Sequence, residues 1–158
     1  MLKRLLWTDN SPAATAMRLA LGAVFFPHGA QKVLGWFGGY GASATIQGFA
    51  KMGLPPWFTV LVMAVELGGS IFLILGLLTR LAALGIGCVM AGAWITVHAK
   101  VGFFMNWAGT QKGEGFEYHI LALGLCIALM IEGGGALSLD RALSGEPRTA
   151  IPDALPRS

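Results

Sequence analysis

Four long apolar runs, separated by short stretches rich in glycine, proline and charge, take up most of this 158-residue sequence. A helix of about 20 residues crosses a hydrocarbon core about 30 Å thick, so each run reads as a transmembrane span. Spans are expected over about residues 13–33, 57–78, 81–101 and 117–134. The composition agrees: 55% of residues are hydrophobic and 12% are charged, against about 25% charged in soluble domains. The expected fold is therefore all-α, an integral membrane four-helix bundle within residues 1–141. A disordered cytoplasmic tail is expected over 142–158, where Pro147, Pro152 and Pro156 recur among polar residues. Four spans leave no room for a soluble catalytic domain, so any chemistry falls to residues in or beside the membrane.

The punctuation between the runs sets the connections. Lys3 and Arg4 precede an apolar stretch, as in a signal peptide. However, Asn10-Ser11-Pro12 reads as a helix cap with proline in the first turn, and the run beyond it exceeds a signal sequence. Gly35-Trp-Phe-Gly-Gly-Tyr-Gly41 reads as a turn, and residues 43–52 as a short interfacial helix between helices 1 and 2. Gly53-Leu-Pro-Pro56 ends that helix. Thr79-Arg80 reads as a tight turn, making spans two and three antiparallel neighbours. Glu117 suits the N-terminus of the fourth span, where the helix dipole favours a negative charge. Ser138-Leu-Asp140 reads as the cap of a short amphipathic segment.

Lys3, Arg4, Arg80, Arg141, Arg148 and Arg157 fall on one side, and Lys32, Lys51, Lys100 and Lys112 on the other. The excess places both termini in the cytoplasm of a multi-pass inner-membrane protein. The basic residues sit mainly at span ends, so the net charge of +3 calls for no nucleic acid. Two cysteines, Cys88 and Cys126, cannot make a disulfide framework or a cysteine-rich metal site, and read as small apolar filler.

Ionisable residues inside the spans carry most of the functional signal. Near the bilayer centre each costs about 2.5–3.5 kcal/mol, which makes it a functional candidate. Glu66 lies roughly 13 Å into the second span from the outer surface. His28, His98 and His119 all fall in the outer half. At about 100° per residue, Arg18, His28 and Lys32 lie within roughly 80° of one another on the first span. On the fourth, His119, Leu123, Cys126 and Met130 share a face. One outer pocket is expected, with Glu66 and His28 exchanging protons. Arg18, Gln31, Lys32, His98 and His119 would bind the ligand there, and Trp36, Trp94, Phe103 and Trp107 would wall it. Plainer readings stand beside this one: Lys32, Lys100 and His98 as anchors of helix ends, Arg18 reaching back to headgroups, and Glu66 as a structural partner.

A quinone, ubiquinone or menaquinone, suits such a pocket: an apolar slot, aromatic walls, and groups that hydrogen-bond its carbonyls and exchange its protons. A metal held by three histidines and Glu66 ranks second, without HxxxH or ExxH spacing to support it. A bis-histidine haem ranks third, since it needs two histidines facing each other at equal depth. Neither metal nor haem is expected.

The order of several motifs carries a family resemblance. Arg18 leads into His28-Gly-Ala-Gln-Lys32 and Gly38-Gly39. Met52-Gly-Leu-Pro55, Glu66-Leu-Gly-Gly69 and Leu75-Gly-Leu-Leu-Thr-Arg80 follow, then Glu117-Tyr-His119 and Leu137-Ser-Leu-Asp140. Together they cover roughly residues 16–141, and over that length the chain resembles the DoxX family of small bacterial membrane proteins. The family's recurrent polar positions match Arg18, His28, Lys32 and Glu66. The resemblance implies a redox-linked inner-membrane protein, in a family associated with quinol oxidation, thiosulfate:quinone oxidoreduction and thiol or oxidative-stress systems. It leaves three functions open: a quinone-interacting module or oxidoreductase membrane subunit, a non-catalytic scaffold for redox partners, and, ranked below these, a transporter or channel. The partners it implies are membrane lipid, redox-enzyme subunits and further copies of the chain.

Overall fold

A computed structural model describes residues 5–144, and these are helical with no strand among them. The helices are α1 (Pro12–Leu34), α2 (Gly41–Lys51), α3 (Pro56–Leu75), α4 (Thr79–Thr96), α5 (Glu117–Glu132) and α6 (Leu139–Ser144), with a 3₁₀ turn at His98–Lys100.

Local chemistry sets most of the boundaries. Ser11 caps α1, its Oγ accepting the Ala14 N–H at 3.1 Å, and Pro12 occupies the first helical position. Gly35, left-handed at φ +72°, ends the helix. Pro56 opens α3 and Gly76, at φ +66°, closes it. The turn into α4 is formed by Gly76 to Leu78, so Thr79 and Arg80 belong to the first turn of α4 rather than to the turn expected there. Leu78 adopts φ +48°, an uncommon value for a branched residue. A remote carboxylate supports it: Asp140 accepts the N–H groups of Leu78 at 2.6 Å and Thr79 at 2.8 Å. Asp140 thus caps α4 from another helix, and Ser138 caps α6 itself, its Oγ accepting the Arg141 N–H at 3.2 Å.

Two expected boundaries move. α4 stops at Thr96, not 101, because the chain tightens into the 3₁₀ turn where His98 is tied to the following loop. Residues 142–144, expected in the tail, belong to α6. The rest of that tail, like Lys3 and Arg4, lies outside the described residues.

α1 packs on α3, α3 on α4, α4 on α5, and α5 back on α1, while α2 lies against α1 and α3. Leu21, Phe25, Leu73, Ile86, Met90, Cys126 and Leu129 form the core. At Gly29 the α1 and α3 backbones touch, since a Cβ there would lie 2.6 Å from Leu67 Cα. The outer faces carry exposed Leu61, Leu81, Leu121, Ile127 and Ile131, whereas Arg18, Thr59, Glu66, His119 and Asp140 are buried. Two helical segments, Pro56–Leu75 and Thr79–Lys100, are long and apolar enough to cross a membrane. α1 is interrupted by Arg18 and Lys32, and α5 has only 16 residues.

Candidate functional site

The close approach at Gly29 brings the C-terminal part of α1 against the middle of α3. Lys32, one turn beyond Gly29, reaches across to Glu66, with Nζ 2.6 Å from Oε2. The Glu66 side chain is 7% exposed and that of Lys32 26%. Taking two such charges out of water costs several kcal/mol each, and only close pairing repays it. His28 sits one turn before Lys32 on α1. Its ring leans on Phe25, with centroids 6.3 Å apart, and is itself exposed, so it flanks the pair from outside. α2 docks on this end of α1, Thr45 Oγ1 donating to the Lys32 carbonyl at 3.2 Å. Gln31 is engaged in the glycine-aromatic turn, its Nε2 donating to the Phe37 carbonyl at 3.1 Å.

A second cluster forms at the same end of the molecule between α4, α5 and the loop joining them. The rings of His98 and His119 lie 4.2 Å apart, tilted by 44°. His98 Nδ1 is 2.8 Å from the Glu114 carbonyl. Trp94 stacks on Phe116 at 5.0 Å, and Phe103 meets Phe116 edge-on at 5.5 Å. No hydrogen bond, ion pair or ring contact among the described residues joins this cluster to Lys32 and Glu66. The single expected pocket is therefore two clusters. Trp36 and Trp107, expected as walls, are 55% and 87% exposed and line neither.

Arg18 is at the opposite end. A helical wheel puts it on the face of His28 and Lys32, but the ten and fourteen intervening steps carry it roughly 15–21 Å along the axis. Its guanidinium donates to the carbonyls of Gly134 at 2.8 Å, Leu73 at 2.9 Å and Ile74 at 2.6 Å, and to that of Leu137. It thus satisfies the orphan carbonyls at the end of α3 and ties them to the chain after α5. Arg80 does the same for α5, donating to Met130 O at 2.9 Å and Ile131 O at 2.7 Å, and it also lies over the Trp7 ring. These two clamps and the Asp140 cap went unread in the sequence. The only signal for them was Gly133-Gly-Gly135, which brings the chain close against Thr8, Ser11 and Ser138.

Chemically, the Lys32–Glu66 pair offers a cationic donor and a carboxylate within helices whose outer faces are apolar. A groove of about 210 Å³ between α3 and α4 is lined by apolar residues such as Val65, Gly69, Phe72 and Gly85. No group of three or more histidine, cysteine, aspartate or glutamate side chains among the described residues is arranged to hold a metal.

Comparison with known proteins identifies the relatives of this arrangement. The DoxX family model matches residues 13–99, which include Lys32 and Glu66. The chain is 33% identical to "Putative oxidoreductase CatD" of Bacillus subtilis over 124 residues, 78% of this chain and 81% of that protein. It is 31% identical to "Uncharacterized membrane protein Rv3486" of Mycobacterium tuberculosis over 148 residues, 89% of this chain and 87% of that one. It is 30% identical to "Inner membrane protein YqjF" of Escherichia coli, over 80% of this chain and 88% of that one. No solved structure matches it. With a family model covering more than half its length and relatives aligned along most of it, the chain belongs to the DoxX family of membrane proteins.

Proposed function

We propose that this protein is a quinone-interacting module of an inner-membrane redox system. In this reading α1, α3, α4 and α5 form a four-span bundle, α2 lies at the interface, and both termini face the cytoplasm. The observation that carries it is the Lys32–Glu66 pair, Glu66 buried and Lys32 partly so, inside helices that otherwise turn apolar faces outward. Such intramembrane charges are costly to insert and mark ligand or proton pathways by default. Lys32 supplies a charged donor for a quinone carbonyl, and Glu66, with His28 alongside, supplies groups that exchange protons with it. The oxidoreductase in the name of the Bacillus subtilis relative is in keeping with a redox role. The test is a titration of detergent-purified protein with a short-tailed ubiquinone and a short-tailed menaquinone, followed by tryptophan quenching. Saturable binding that weakens in Glu66→Gln and Lys32→Met supports the reading, and no saturable binding by the wild type sinks it.

One observation favours a second reading. Lys32 and Glu66 satisfy each other and thereby lock α1 to α3, as befits a non-catalytic scaffold for redox or oxidative-stress partners. Co-purification of such partners, unchanged in the Lys32→Met/Glu66→Leu double variant, would support the scaffold.

A further inference from the structure

Three buried side-chain polar atoms among the described residues lack a hydrogen-bond partner, Thr59 Oγ1, Thr79 Oγ1 and His119 Nδ1, and the one that can ligate a metal as a neutral donor lies in the second cluster. His119 is 4% exposed, and its Nδ1 is buried with no hydrogen-bond partner. A buried polar atom left in that state costs about 1–3 kcal/mol, so such atoms normally answer to a water, an ion or a ligand.

We propose that His98 and His119 together bind a divalent first-row transition-metal ion of the Zn²⁺ or Cu²⁺ class. The Glu114 carbonyl fixes the tautomer of His98. The Glu114 carbonyl can only accept, so the His98 Nδ1 at 2.8 Å carries the hydrogen. In the neutral ring this leaves a lone pair on Nε2. A backbone carbonyl holding the second ring nitrogen is the arrangement that fixes the tautomer of metal-ligating histidines. His119 contributes the other nitrogen from the first turn of α5.

Size favours an ion over a planar ligand. The two rings are 4.2 Å apart, too close to admit an aromatic headgroup between them. Two imidazoles on one tetrahedral ion, with bonds of about 2.0–2.1 Å, have centroids about 5 Å apart. A shift of less than about 1 Å by half-buried His98, on its short 3₁₀ turn, closes that difference. Neutral imidazoles suit zinc, copper and nickel, whereas magnesium and calcium prefer oxygen ligands. No third histidine, cysteine, aspartate or glutamate completes the set among the described residues, so water or backbone carbonyls take the remaining positions. HxxxH spacing is absent because the two donors come from separate elements. This site is independent of the quinone reading.

The test uses the full-length protein with its affinity tag removed, stripped of metal and dialysed at neutral pH against Zn²⁺, with Mg²⁺ as the control ion. Bound metal is counted by elemental analysis, and Co²⁺ serves as an absorption reporter of nitrogen ligation. One Zn²⁺ per chain is expected, with affinity weakened roughly tenfold or more in His98→Ala and in His119→Ala, and unchanged in a variant of exposed Lys51, Lys51→Met. His98 is only half-buried, so its variant should fold even if that of His119 does not. No Zn²⁺ retained by the wild type, or equal affinity in His98→Ala, overturns the proposal.

Discussion

Replacing Arg18 with methionine separates a structural role from a ligand-binding one. The guanidinium donates to four carbonyls drawn from the end of α3 and the segment after α5, and the side chain is 2% exposed. Hydrogen bonds from a charged donor contribute about 1.5–3 kcal/mol each and do not add fully. Methionine fills much of the volume but leaves those carbonyls buried and unpaired. Removing one side of a buried charged network costs about 3–5 kcal/mol. For a chain of this size each kcal/mol shifts the melting temperature by about 2–4 °C, so a drop of roughly 10 °C is expected. The assay is thermal unfolding in mild detergent, followed by circular dichroism. Arg18→Lys should recover less than half of the loss, because one ammonium cannot serve carbonyls on both segments. A melting temperature within about 2 °C of wild type would refute the clamp, given the 2–4 °C expected per kcal/mol. Weakened quinone binding at unchanged stability would return Arg18 to the ligand-binding role first expected of it.

The other predictions concern α1 and α3. Gly29→Ala would press a Cβ against the Leu67 and Glu66 backbone at 2.6–2.9 Å, so α1 and α3 must separate; a loss of about 1–3 kcal/mol should appear in the same melting assay. Lys32→Met leaves Glu66 uncompensated and should destabilise by about 3–5 kcal/mol, whereas Lys32→Met/Glu66→Leu should lie close to wild type. A double variant as unstable as the single would show that the pair is not the coupled unit described.

Much of the helical layout was legible because apolar runs and their punctuation are local signals. Ser11-Pro12, Gly35 and Glu117 mark helix ends where the structure has them. The turn at Gly76–Leu78 was not legible, since the left-handed Leu78 is supported by a carboxylate 62 residues away. Angular position on a helical wheel grouped Arg18 with His28 and Lys32, but carries no information about distance along the axis. For the same reason the histidines read as one pocket, although which helices face one another decides that His119 meets His98 and that His28 looks outward. Lys32 and Glu66 were both legible as candidates from their cost in a membrane. Their contact depends on the approach at Gly29, which a single glycine among 23 does not announce. Trp36 and Trp107 were read as walls, but both are largely exposed, because a helical wheel does not show which aromatic residues face the bundle and which face outward.

The central claim, a quinone at the Lys32–Glu66 pair, is tested most directly by extracting gently purified protein with solvent and identifying bound quinones by mass spectrometry, with Glu66→Gln prepared in parallel. The account predicts a quinone near one per chain in the wild type and little in the variant. Equal quinone in both would take the site away from Glu66, and none in either would contradict the quinone reading outright.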